Sequence, residues 1–247
     1  MKYALKRSIE LLRRDGLLGL CKGIVRYLRW GYPFPEIKLR YLYNRCKYGP
    51  SVADPFKIIH IDPSTITHTT DEFAMFYDVG TIQGGDWDKR VEPVENNFKY
   101  EAVWEHFENN VPWEDTGLFS EYSSILQEDG QADSYTSISE LKDRYEKIDA
   151  IFEDIRSNGF KSPSEINSGD ISKKEQYDYP AVHITREGEI VFADGWHRFT
   201  IARVLELDEI PVRIIARHKI WQSIREKFYN DKSADKYKEH PDLDDLE

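Results

Sequence analysis

Apolar residues recur in two periods along this chain. A spacing of about 3.6 residues marks helices, and strict alternation marks half-buried strands. Leu5, Ile9 and Leu12, then Leu17, Leu20, Ile24 and Leu28, predict a helical stretch over residues 2–30, broken near Asp15-Gly16. Residues 36–56 are mixed, and Gly49-Pro50 marks a boundary. Short apolar runs at 57–61 and around Phe73–Tyr77 read as strands, the first ended by Asp62-Pro63. Residues 97–158 read mostly as helix. Val103, Phe107 and Val111 outline one helix there, and Ser120–Gln127 is a second. Ser137-Ile138-Ser139-Glu140 has the form of a capping box. Beyond it Leu141, Tyr145, Ile148, Ile151, Phe152 and Ile155 form a core stripe that Gly159 ends. After a polar loop over 161–179, Ala181–Thr185 reads as a strand, Arg186-Glu187-Gly188 as its turn and 188–193 as the returning partner. A helix over 199–207, a strand over 210–216 and a helix over 220–228 follow. The tail from Asn230 reads as acidic, polar and loose.

The returning strand runs into Ala193-Asp194-Gly195-Trp196-His197-Arg198. Asp194 is a good helix N-cap residue, and Gly195 removes a side chain that would crowd a ligand. A helix N-terminus presents unpaired backbone N–H groups that favour phosphate, and an arginine can grip two phosphate oxygens at once. The same residues also describe a capped strand–helix junction with an aromatic packed on it. A second loop, Gly84-Gly85-Asp86-Trp87-Asp88, sets two carboxylates beside a backbone that can approach a ligand closely. Such a loop holds a divalent cation, supplies a general base, or is a turn with solvated acids. Glu114, Asp115 and Arg144 are weaker candidates of the same kind.

Charge divides the chain. The 247 residues carry a net charge of −11, which disfavours nucleic acid as a partner. Residues 1–50 hold 12 Lys/Arg against 3 Asp/Glu, so the head is basic and the remainder strongly acidic. The head is amphipathic and ends in Trp30 and Tyr32, the arrangement of an anchor on an anionic membrane surface. The alternatives are packing on the domain with the cations in water, or an anionic protein partner. Cys21 and Cys46 have no metal-site spacing and read as reduced thiols. Neither a signal peptide nor a membrane-spanning run is recognisable, so the expected location is cytoplasmic, with peripheral attachment at the inner membrane face.

The unit from Val182 to Arg217 is a hairpin, an Asp-Gly-X-His-Arg segment, a helix and a Leu-X-X-Ile-Pro-Val strand. It resembles the ParB/sulfiredoxin-like superfamily. That resemblance implies an α+β fold with a small mixed β-sheet core over residues 51–229. The helical insertion at 97–158 and the amphipathic helical head at 1–50 depart from the compact pattern, and an acidic tail follows at 230–247. Sulfiredoxins place a cysteine between the glycine and the His-Arg pair, where this chain has Trp196. ParB partition proteins continue into DNA-reading helices; the residues after the final strand here are acidic, so partition-type DNA binding is not expected. The ParB-like free serine kinases carry Asp-Gly-His-His-Arg, which 194–198 match except at Trp196.

The resemblance therefore implies a nucleotide-dependent phosphotransferase acting on a small-molecule, glycan or lipid-linked hydroxyl. ATP, ADP or CTP with Mg2+ would be the cofactors. Gly195, Trp196, His197 and Arg198 would hold the phosphates, although His197 also fits a structural role. Asp194 would orient the acceptor, bind Mg2+ or cap the helix. Asp86, then Asp88, would act as base or metal contact, and Arg217 and His218 would reach the same pocket from a strand end. A ParB-like nuclease or nucleic-acid-binding module and a non-catalytic nucleotide-binding regulator are the alternatives.

Overall fold

The structure, a computed structural model, describes residues 34–73, 77–132, 135–161, 179–231 and 235–246. The basic stretch predicted over 2–30 lies outside them, as do Cys21 and most of the polar loop at 161–179. The strand predicted around Phe73–Tyr77 lies partly outside them.

The fold is mixed α/β. Among the described residues seven strands form one sheet: β1 (Ile58–Ile61), β2 (His68–Thr69), β3 (Thr81–Gln83), β4 (Glu92–Pro93), β5 (Ala181–Ile184), β6 (Ile190–Asp194) and β7 (Ile210–His218). Their order is β1-β7-β5-β6-β2-β4, and β3 also pairs with β7. The long β7 carries both β1 and β3: β1 runs antiparallel to residues 210–213 and β3 parallel to 216–218. β5 and β6 form the predicted hairpin, and β5 runs parallel to β7.

Both faces of the central strands are covered, which is why β5 and β7 are buried along their length. One face holds Val182, Ile184, Phe192, Val212 and Ile214 against Phe199 and Ala202, with Trp221 and Phe228 in the same cluster. The second face holds Ala181, Ile215 and Ala216, with Phe73 and Ala193 against them.

Six helices of at least two turns accompany the sheet among the described residues: α1 (Phe34–Tyr48), α2 (Phe98–Asn109), α3 (Gly117–Asp129), α4 (Ile138–Asn158), α5 (Trp196–Val204) and α6 (Lys219–Asp231). The predicted insertion is α2, α3 and α4. They build their own core from Val103, Leu118, Phe119, Tyr122, Leu141, Tyr145 and Ile148. Ser137 caps α4 as its sequence predicts, accepting from the Glu140 N–H at 3.2 Å. The Glu140 carboxylate reaches one residue further back, to the Thr136 N–H at 2.7 Å. α5 joins the two cores: Phe199 and Ala202 belong to the sheet side, while Ile201 is buried among the insertion helices.

Several expectations are corrected. α5 starts at Trp196, ahead of the apolar stripe at 199 and with His197 and Arg198 in its first turn as the glycine turn implies, and β7 continues to His218. α1 occupies the stretch read as mixed, and it joins the sheet side through Asn44, whose amide donates to the Gly80 carbonyl at 2.9 Å. The tail is not loose over its described part. Pro241–Leu246 forms a 3-10 helix that buries Asp242, Leu243 and Leu246. Its acids looked solvated in sequence because their buried partners, Arg217 and Arg225, come from distant elements. No helix of the described residues is long and apolar enough to cross a membrane.

Candidate functional site

β6 delivers Asp194 to one end of the sheet, where the chain turns into α5. Gly195, not Asp194, occupies the N-cap position, with φ 96° and no side-chain cap from the described residues. An added Cβ there would stand 2.9 Å from the Pro180 Cα, so both the left-handed backbone and the neighbouring strand entry require glycine. Asp194 folds its Oδ1 back to accept the Gly195 N–H at 2.6 Å. The first turn of α5 therefore begins without the side-chain oxygen that usually satisfies it.

The side chains of that turn meet the helical insertion. The His197 Nε2 lies 3.0 Å from the Tyr145 hydroxyl, which α4 supplies from its buried stripe. Arg198 donates to the Lys161 carbonyl at 2.8 Å, and its guanidinium sits 4.4 Å from the centre of the Phe160 ring. Lys161 in turn pairs with Asp154 of α4 at 2.7 Å. Trp196 packs its ring 4.5 Å from that of Phe192. Tyr145 was legible as core but not as a partner of His197, because 52 residues separate the two.

Asp86, Asp88, Arg217 and His218 do not join this turn. The β5–β6 register pairs Ala181 with Asp194 at one end of the hairpin and Ile184 with Ile190 at the other. The Asp86 loop sits at the second end. There Arg186 of the hairpin turn donates its backbone N–H to Asp88 at 3.0 Å and its Nε at 2.8 Å, and its Nη2 reaches Asp86 at 2.8 Å. The length of β6 separates the two ends by about 13 Å. Burial pushes Asp88 up, but the hydrogen bonds from Arg186 outweigh it and hold the carboxyl at about 2. His218 accepts the Ile220 N–H on Nδ1 at 3.1 Å, so its Nε2 carries the proton and donates to the Gly85 carbonyl at 3.0 Å. Arg217 is buried against Asp242. Both carboxylates accept from the Arg186 guanidinium. No cluster of three metal-ligating side chains occurs among the described residues.

His183 is a feature the sequence reading passed over. It is wholly buried on the second face of the sheet, and neither ring nitrogen has a hydrogen-bond partner among the described residues. Phe73 and Trp87 pack edge-on against it, 5.3 and 5.8 Å away between ring centres. Burial first, and then the charge of Arg213, push it down to about 3. Two open grooves lie elsewhere. One of about 510 Å3 runs beside β1, and one of about 340 Å3 on α4 includes Arg144. Neither is lined by a residue of the Asp194–Arg198 turn.

Set against known proteins, the chain matches no family model, no curated protein and no solved structure.

Proposed function

We propose that the protein is a nucleotide-dependent phosphotransferase whose polyphosphate lies on the first turn of α5. The observation that carries this reading is the uncapped helix start at Gly195, with His197 and Arg198 in the turn that follows. Backbone N–H groups at such a start, together with the helix dipole, favour phosphate oxygens. Arg198 adds positive charge while its contacts with Phe160 and Lys161 hold it in place. His197, oriented by Tyr145, adds a ring beside them.

Phosphoryl transfer asks a protein mainly for positioning and charge neutralisation. Asp194 ends the strand that leads into the turn, and its carboxylate is the acid of the predicted set adjacent to it. Its role in this reading is to accept a hydrogen bond from the acceptor hydroxyl, on a small molecule, a glycan or a lipid-linked sugar. ATP, ADP or CTP with Mg2+ would supply the phosphoryl group. Asp86 and Asp88 have no part in the revised arrangement. The basic pattern of residues 1–32 supports attachment to an anionic membrane surface.

Calorimetric titration with ATP, ADP and CTP in the presence of Mg2+ tests the site. At least one nucleotide binds, and Arg198→Ala weakens it tenfold or more while the chain remains folded by circular dichroism. Unchanged affinity in that variant overturns the assignment. Asp194→Asn retains nucleotide binding and loses transfer to a supplied acceptor. A second reading, a regulator that binds nucleotide without turnover, is favoured by the separation of the Asp86 pair from the turn. Binding without transfer to any acceptor, equal in the wild-type chain and in Asp194→Asn, selects that reading.

A further inference from the structure

α1 buries one side and exposes the other. Ile37 and Asn44 are buried, and Arg40 donates to the Val79 carbonyl at 2.8 Å. At about 100° per residue, the opposite side carries Leu42, Cys46, Leu39 and Tyr43 in one continuous stripe. All four are exposed, Leu39 by 67%, Leu42 by 50% and Tyr43 by 62%. Exposed Lys38 and Arg45 border the stripe on one side, and exposed Lys47 borders it on the other. The Lys47 ammonium lies 5.6 Å from the centre of the Tyr43 ring.

Isolated exposed leucines need no explanation, but a contiguous apolar stripe with cations at both rims does. We propose that this face of α1 docks on an anionic lipid surface, with Leu39, Leu42, Tyr43 and Cys46 in the headgroup–acyl boundary and Lys38, Arg45 and Lys47 on the lipid phosphates. A bilayer presents acyl chains beneath phosphates, and long cationic side chains reach up to that layer while their stems stay apolar. The charge distribution matches that order: apolar along the centre, basic at the two edges. It also sets the orientation, because the chain as a whole carries −11 and an anionic surface repels its acidic parts. The inference stands on α1 itself. It depends neither on the phosphotransfer reading nor on attachment through residues 1–32.

The test uses the full chain and vesicles of phosphatidylcholine and phosphatidylglycerol in equal amounts, against phosphatidylcholine alone. The wild-type chain floats with the anionic vesicles, less at high salt. Leu39→Ser, Leu42→Ser and Tyr43→Ser together lower that binding tenfold or more with an unchanged melting curve, since all three side chains are exposed. Lys38→Glu, Arg45→Glu and Lys47→Glu together abolish the preference for anionic lipid. In a Cys21→Ser background, a polarity-sensitive dye on Cys46 shifts to the blue on vesicle addition. A chain that floats equally well with all the α1 substitutions overturns the proposal. A parallel loss with Leu5→Ser, Ile9→Ser and Leu12→Ser then assigns the attachment to the head. Failure of the wild-type chain to float, or capture by polyglutamate as tightly as by vesicles, also overturns it.

Discussion

Arg217 donates both arms of its guanidinium to the carboxylate of Asp242, at 2.9 and 2.6 Å, and both side chains are buried. The contact ties the last described segment to the end of β7. The Trp221 indole N–H donates to the same carboxylate at 2.8 Å, and the Arg225 guanidinium lies 3.1 Å from it. Arg225 also donates to the Asp242 carbonyl and to the Ser51 carbonyl. One buried acid thus joins β7, α6, the C-terminal 3-10 helix and the turn after α1. An acidic residue near the end of the chain is a keystone of the core.

Asp242→Ala leaves Arg217 and Arg225 buried without their shared counter-charge. Removing one partner of a buried ion pair costs about 3–5 kcal/mol. Urea denaturation is expected to show a loss of that order with an unchanged m-value. Burial alone would raise the Asp242 carboxyl, but the charges of Arg217 and Arg225 hold it well below the usual carboxylate range. Its contribution is therefore fully present above the unfolded value near 4, and it is lost as pH falls towards the depressed folded value. A stability loss under 1 kcal/mol would show that the segment is not anchored as described.

His183 makes a second, distinct pH dependence. Its folded value of about 3 lies below the ordinary histidine value, so the unfolded chain binds a proton that the folded chain refuses. Stability consequently falls as pH drops from about 6.5 towards 3, by about 2 kcal/mol at pH 5. His183→Leu removes two buried nitrogens that have no hydrogen-bond partner among the described residues and keeps an apolar side chain beside Phe73 and Trp87. Denaturation midpoints measured between pH 5 and 7 are expected to flatten in that variant. An identical slope in both proteins would place the titrating group elsewhere.

The separation of Asp86 from the α5 turn gives a third prediction. Asp86→Asn removes an exposed carboxylate held by Arg186 and Lys89. Nucleotide affinity at the turn is expected to stay within twofold of the wild-type value. Arg186→Met, by contrast, removes the guanidinium donors to the Asp88 carboxylate and leaves only the backbone N–H of residue 186. That variant is expected to unfold at lower urea concentration than the wild-type chain, and an unchanged midpoint would show that the pair does not hold the loop. A strong effect of Asp86→Asn on nucleotide binding would bring the two ends of the hairpin back into one site.

The hairpin from Ala181 to Asp194, the capped start of α4 at Ser137 and the strand beginning at Ile210-Pro211 were all legible in the sequence. Each rests on neighbours a few residues apart: alternation, a turn residue, a capping oxygen. Gly195 was legible as special but for a different reason. The sequence points to room for a ligand, and the structure adds the Pro180 Cα at 2.9 Å from its missing Cβ. The start of α5 just after the Asp194-Gly195 turn was legible from that turn, although its apolar stripe begins only at Phe199; Trp196 and His197 make their contacts with β6 and α4.

Local order along this chain follows from periodicity and turn chemistry, which act over one or two turns of backbone and can be read in place. The end of the sheet at which each loop arrives depends on strand order and direction, and these are set by pairing among residues far apart in the chain. So Asp86 parts from Asp194, Tyr145 finds His197, and Asp242 becomes buried between two arginines. Burial and charge pairing are properties of the assembled core, and no window of neighbouring residues contains them.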